Sequence, residues 1–152
     1  MKYTTSHEDL RILLADDDED DRETFSEAIK SVKVRHVLHS VVDGTKLMTY
    51  LSDCTSECPD LIFLDLNMPK KDGMECLSEI RANQKFKDTA VVIYSTSSAK
   101  NEIEATFLAG ANIYITKPNN METLKTLIAE VVSINWQYHT GRLNKENFMM
   151  VR

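Results

Sequence analysis

Apolar residues in this chain fall into short continuous runs separated by longer stretches of helical spacing. The runs predict strands at Leu10–Ala15, Val34–Val41, Leu61–Asp65, Ala90–Ser95 and Asn112–Thr116. Arg11-Ile12-Leu13-Leu14-Ala15, Leu61-Ile62-Phe63-Leu64 and Ala90-Val91-Val92-Ile93-Tyr94 are almost wholly apolar, as strands covered on both faces of a parallel sheet must be. They belong in the middle. The second run carries Arg35, His36 and His39, and the fifth carries Asn112 and Thr116, which predicts two sheet edges.

Between the runs, Phe25, Ala28, Ile29 and Val32 recur at i, i+3, i+4, i+7, and Met121, Leu124, Ile128 and Val131 form a similar stripe. Both predict helices that lay one face on the sheet. Shorter stripes lie at Leu47 and Leu51, at Met74, Leu77 and Ile80, and at Ile103 and Phe107. Strands alternating with helices imply repeated βα units, hence an α/β fold on a parallel sheet. A chain of 152 residues suits one domain. We assign 10–137 to it, with 1–9 as an N-terminal arm and 138–152 as a tail. The periodicity is lost in that tail, and Phe148, Met149 and Met150 read as a frayed end rather than a docking peptide.

Charge narrows the function. The formal net charge is −6 and no basic stripe appears, which argues against a nucleic-acid surface. Met1 to Leu10 lacks an apolar signal core, and no segment is long enough to cross a bilayer, so a cytoplasmic protein is expected. Cys54, Cys58 and Cys76 form an odd set outside close redox or zinc spacing, and are expected to be reduced thiols. His7, His36, His39 and His139 show no ligand spacing and read as structural.

In an open parallel sheet, chemistry collects just past the carboxyl ends of the strands. There the chain places Asp16, Asp17 and Asp18 after the first strand, Asp65 at the end of the third, Ser95 and Thr96 at the end of the fourth, and Lys117-Pro118 after the fifth. Crowded carboxylates need protons or a cation. An oxygen-only donor set favours a hard cation, and a few carboxylates suit Mg²⁺, which shares its shell with water and phosphate. Lys117 and Ser95 are suitable groups to surround a transferring phosphoryl, and Asp65 suits the nucleophile.

Taken together, Asp16-Asp17, Asp65 with Asn67-Met68-Pro69 and Asp72-Gly73, Ser95-Thr96, Tyr114 and Lys117-Pro118 resemble the receiver domain of two-component response regulators. The resemblance runs from about Leu10 to Trp136. It implies a flavodoxin-like doubly wound (βα)5 three-layer sandwich with sheet order 2-1-3-4-5. It also implies that Asp65 is the phosphoacceptor, that Asp17, Asp65 and the Asn67 carbonyl hold Mg²⁺, and that Asp16 acts through a metal-bound water. Ser95, Thr96 and Lys117 would surround the phosphoryl, Ser95 and Tyr114 would act as switch residues, and the Lys117–Pro118 peptide would be cis. The implied activity is self-phosphorylation and self-dephosphorylation at Asp65, without turnover of an external substrate. The implied partners are a histidine kinase or phosphotransfer protein and a downstream protein target, with room for a homodimer.

The long loop around Cys54 to Pro59 and the Lys70-Lys71 pair resemble the small stand-alone regulators that serve phytochromes. The chain departs from the family pattern at Asn119, where a bulky apolar residue is usual, and at Thr96, where a small one is common. Other readings fit less well. Asp16, Asp18, Asp20 and Glu27 match calcium-loop positions, but Asp21 stands where glycine is required. Asp18 to Asp21 read instead as a partly solvated first helical turn, with Asp16 and Asp17 alone turned to the site. A haloacid-dehalogenase-like phosphatase would want a second aspartate at Asn67. A flavodoxin-type carrier would not tolerate the acidic run, and a degenerate, unphosphorylated receiver would not need every charged group in place.

Overall fold

A computed structural model describes residues 9–134 and 149–150, so most of the N-terminal arm, His139, Trp136 and the tail up to Phe148 lie outside the described residues. The strands are β1 (Leu10–Ala15), β2 (His36–Val41), β3 (Leu61–Leu64), β4 (Ala90–Ser95), β5 (Ile113–Thr116) and β6 (Met149–Met150). The helices are α1 (Glu19–Ile29), α2 (Gly44–Asp53), α3 (Gly73–Ala82), α4 (Lys100–Leu108) and α5 (Met121–Val132), with a 3₁₀ turn at Gln84–Phe86. The first five strands are parallel in the order β2-β1-β3-β4-β5, the doubly wound arrangement expected from the sequence.

Two apolar layers hold the sheet. On one face Phe25, Ala28 and Ile29 of α1 and Leu124, Leu127, Ile128 and Val131 of α5 pack on Ile12, Leu14, Phe63, Val92 and Ile115. Phe25 meets Phe63 and Tyr94 edge-on, at centroid distances of 4.8 and 5.6 Å, a geometry that adds to simple burial. On the other face Leu47 and Leu51 of α2 and Cys76, Leu77 and Ile80 of α3 cover Leu13, Ile62, Leu64, Val91 and Ile93, with Ile103 and Phe107 of α4 half-buried against them. Every residue of β3 and β4 is buried, which accounts for their continuous apolar runs.

Helix starts fall beside the strand ends because Asx side chains cap them. Asp18, Asp43, Asp72 and Asn120 accept from the backbone N–H three residues on, and Asp72 with Glu75 closes a capping box. The first of α4 is the exception: Ala99 provides no side-chain cap, and Thr106 is the helix's one fully buried residue.

Several expectations are corrected. β2 begins at His36 rather than Val34, β3 stops at Leu64, and β5 starts at Ile113. α1 ends at Ile29, and Val32 packs on the same core from beyond the helix. β5 is not an edge: β6 pairs parallel with it, Tyr114 opposite Met149 and Ile115 opposite Met150, so these two tail residues are not frayed. Asn112 is polar for another reason. Its side-chain oxygen accepts from Val91 N and from Arg81 Nη2, both at 2.8 Å, in a buried knot beneath the sheet.

Cys54 and Cys58 are joined by a disulfide, where reduced thiols were expected; the turn after α2 brings their Cα atoms to 5.1 Å, a distance a bridge can span. Cys76 is free, and burial pushes its thiol up to about 12. Among the described residues no helix is long and apolar enough to cross a membrane.

Candidate functional site

Asp65 N donates to Ala15 O at 3.0 Å and Lys117 N donates to Ser95 O at 2.7 Å, so strand pairing itself sets the four strand ends at one rim. Asp16 is fully buried there, with Oδ1 accepting from Asp18 N at 3.0 Å and its carbonyl from Arg22 Nη1 at 2.9 Å. Asp17 is exposed and Asp65 is buried. Asp65 Oδ1 accepts from Asn67 N at 3.2 Å, which orients the carboxylate along the β3–α3 loop.

That loop is held by close packing. Gly73 N donates to Leu66 O at 2.9 Å, and a Cβ at Gly73 would stand 2.3 Å from Asp65 O. Nothing larger than glycine fits against the phosphoacceptor candidate's backbone. Lys70 takes a positive φ of 71° to turn the chain, and Lys70 Nζ lies 3.8 Å from Asp43 Oδ2.

Lys117 is the centre of charge. Its Nζ donates to Asp16 Oδ2 and to Asp21 Oδ2, both at 2.8 Å, and stands 3.5 Å from Asp65 Oδ2 and 5.1 Å from the Tyr94 ring centroid. Burial alone would depress the ammonium, but the hydrogen bonds to Asp16 and Asp21 outweigh it and hold Lys117 above its ordinary range. Burial pushes the Asp65 carboxyl up to about 6; Lys117 opposes that and Asp16 adds to it. The rim is acidic and incompletely neutralised.

One ligand oxygen from each of Asp16, Asp17 and Asp65 lies within 4.8 Å of the others. Three carboxylates with no histidine or thiolate suit a hard divalent cation, and such an ion would favour the ionised Asp65 against the burial that raises it. Asn67, two residues past Asp65, is exposed. Ser95 is fully buried and Thr96 is exposed. Ser95 Oγ accepts from Ser97 N at 3.1 Å, and Tyr114, also fully buried, donates its hydroxyl to Ser97 O at 2.7 Å. Ser97 therefore connects the two expected switch residues through its backbone. The Lys117–Pro118 peptide is trans, not cis; trans is the intrinsically favoured isomer even before proline.

Sequence reasoning missed Asp21 and Tyr94. It placed Asp21 among solvated residues, whereas its carboxylate reaches Lys117. A signal was present: Asp21 lies four and seven residues before Phe25 and Ala28, so it begins the buried stripe of α1. Tyr94 was read as core, which it is, but its ring also lies beneath the Lys117 ammonium.

A family model described as the response regulator receiver domain matches residues 12–129. The response regulator Rcp1 of Synechocystis sp. is 35% identical over 126 residues, covering 80% of this chain and 86% of that protein. Among solved structures, the phosphorylated cyanobacterial phytochrome response regulator RcpA is 34% identical with a TM-score of 0.76, over 86% of this chain and 96% of that one. The Mn²⁺-bound form of Rcp1 is 31% identical with a TM-score of 0.73, over 88% and 96%. With the acidic rim, the buried lysine and the sheet order all in place, these matches establish that the chain belongs to the response regulator receiver domain family.

Proposed function

We propose that the protein is a phosphorylation-dependent signalling module whose phosphoacceptor is Asp65. One observation carries the reading: a buried carboxylate at the end of β3, 3.5 Å from a buried ammonium and with a ligand oxygen within 4.8 Å of those of two further carboxylates. A free Asp65 oxygen attacks phosphorus, and the donor's P–N or P–O bond breaks with its electron pair leaving on the donor. The leaving group, the imidazole of a phosphohistidine or the carboxylate of an acyl phosphate, keeps that pair.

Asp16, Asp17, Asp65 and the Asn67 carbonyl are the groups that would hold Mg²⁺, which supplies charge neutralisation for the incoming phosphoryl. Lys117, Ser95 and Thr96 are the groups that would contact its oxygens. Burial of the Ser95 hydroxyl means that it has to rotate or shift to do so, drawing on Ser97 and hence on Tyr114. α4, without a side-chain cap and with one fully buried residue, is the helix that yields most readily to such a shift. The face formed by α4, β5 and α5 is therefore where phosphorylation would alter a protein contact.

Receiver domains work with histidine kinases and downstream targets, and the likeness to RcpA supports a sensor kinase of the phytochrome kind as donor, in the cytoplasm. The test is intact-mass measurement after incubation with acetyl phosphate and MgCl₂. Wild type gains one phosphoryl group and loses the gain with a chelator. No gain in wild type, or the same gain in Asp65→Ala, refutes the assignment.

A further inference from the structure

Lys117 lies among three carboxylates, and it sits closest to the two that are not the phosphoacceptor. Its distances are 2.8 Å to Asp16, 2.8 Å to Asp21 and 3.5 Å to Asp65. Asp16 and Asp65 belong to the metal-holding cluster, whereas Asp21 does not. A cation held by Asp16 and Asp65 would compete with Lys117 for both, leaving Asp21 as the ammonium's independent partner.

Among the described residues, Asp21 is hydrogen-bonded through its carboxylate to Lys117. Its backbone N–H caps onto Asp18, but its side chain is free of that bond and about one-third exposed. The helical stripe through Phe25 and Ala28 aims it at the rim.

We infer that Asp21 is a positioning residue for Lys117: it draws the ammonium away from Asp65 and must surrender it when a phosphoryl group arrives. This rests on the reading of Asp65 as phosphoacceptor. Two consequences have opposite sign. With Asp21 neutral, Lys117 is shared by Asp16 and Asp65 alone, so it is more available to phosphoryl oxygens, and the anionic donor meets one negative charge fewer. The cation site likewise loses a nearby negative charge and binds its ion more weakly.

The test compares wild type, Asp21→Asn and Asp21→Glu. Phosphorylation by acetyl phosphate is followed across donor concentrations at saturating MgCl₂, and Mg²⁺ binding is measured separately by calorimetry without donor. For Asp21→Asn the expected result is a gain of roughly three- to tenfold in phosphorylation rate per unit donor, and a roughly threefold or greater loss of Mg²⁺ affinity. Asp21→Glu restores both toward wild type. A purely structural role would lower the melting temperature and slow phosphorylation without rescue by Glu, and that result overturns the inference. So does an Asp21→Asn protein that matches wild type in both measurements. If wild type itself takes no phosphoryl group, the proposed function fails, and the Mg²⁺ affinities alone still decide whether Asp21 acts on the site's charge.

Discussion

Replacing Asp65 by asparagine should stabilise the metal-free protein. Burial holds the Asp65 carboxyl at about 6 against an ordinary 3.8, even with Lys117 nearby. A shift of about two units corresponds to about 3 kcal/mol of stability lost at pH 7, where the folded protein carries the carboxyl ionised. Asparagine keeps the acceptor that Asn67 N uses and removes the charge. Since its amide has to find partners of its own, the net gain should be roughly 2 kcal/mol at pH 7, or about 4–8 °C in melting temperature for a chain of this size.

The pH dependence distinguishes this cause from a general packing effect. The folded-state value is raised, so this carboxyl's contribution to stability is fully present below about 3.8 and is lost as pH rises through about 6. The stability difference between variant and wild type should thus be near zero at pH 4, open between pH 4 and 6, and level off above. Urea unfolding at several pH values in chelator measures it directly. An asparagine variant no more stable than wild type at pH 7, or one whose advantage is the same at pH 4, would show that the buried Asp65 charge does not destabilise the fold. Added Mg²⁺ should stabilise wild type and largely spare the variant.

Three further substitutions probe other parts of the structure. Lys117→Met leaves Asp16 and Asp65 buried without their ammonium and should cost about 3 kcal/mol in urea unfolding, with part of the loss recovered on adding MgCl₂. Gly73→Ala puts a Cβ 2.3 Å from Asp65 O and 2.7 Å from Leu66 Cα; it should destabilise by roughly 1–3 kcal/mol and slow phosphorylation, read by melting and by intact mass. Arg81→Ala strips the donors from Gly110 O, Phe86 O and Asn112 Oδ1 at the opposite end of the sheet. It should cost roughly 3 kcal/mol in stability yet leave the phosphorylation rate of the folded protein unchanged.

How far the sequence could be read depends on whether a residue's role follows from its own segment. Strands β3 and β4 were legible because two-sided burial demands an unbroken apolar run, and such a run carries its own explanation. The rim followed from the same logic: once strands are parallel, their ends share one edge, and Asp16, Asp65, Ser95 and Lys117 must meet. Roles set by distant partners were misread. Asn112 looked like an exposed edge residue because its polarity is answered by Val91 and Arg81, 21 and 31 residues away. β5 looked like an edge because the strand beside it comes from the tail, where two residues give no period to detect. Cys54 and Cys58 looked independent because their pairing depends on where α2 ends.

Asp21 shows the limit most clearly. Its stripe placed it on the buried side of α1, but only its distance to Lys117, 96 residues away, distinguishes a site residue from a helix-start acid. The same aspartate serves a local rule and a distant one, and sequence patterns reveal only the first.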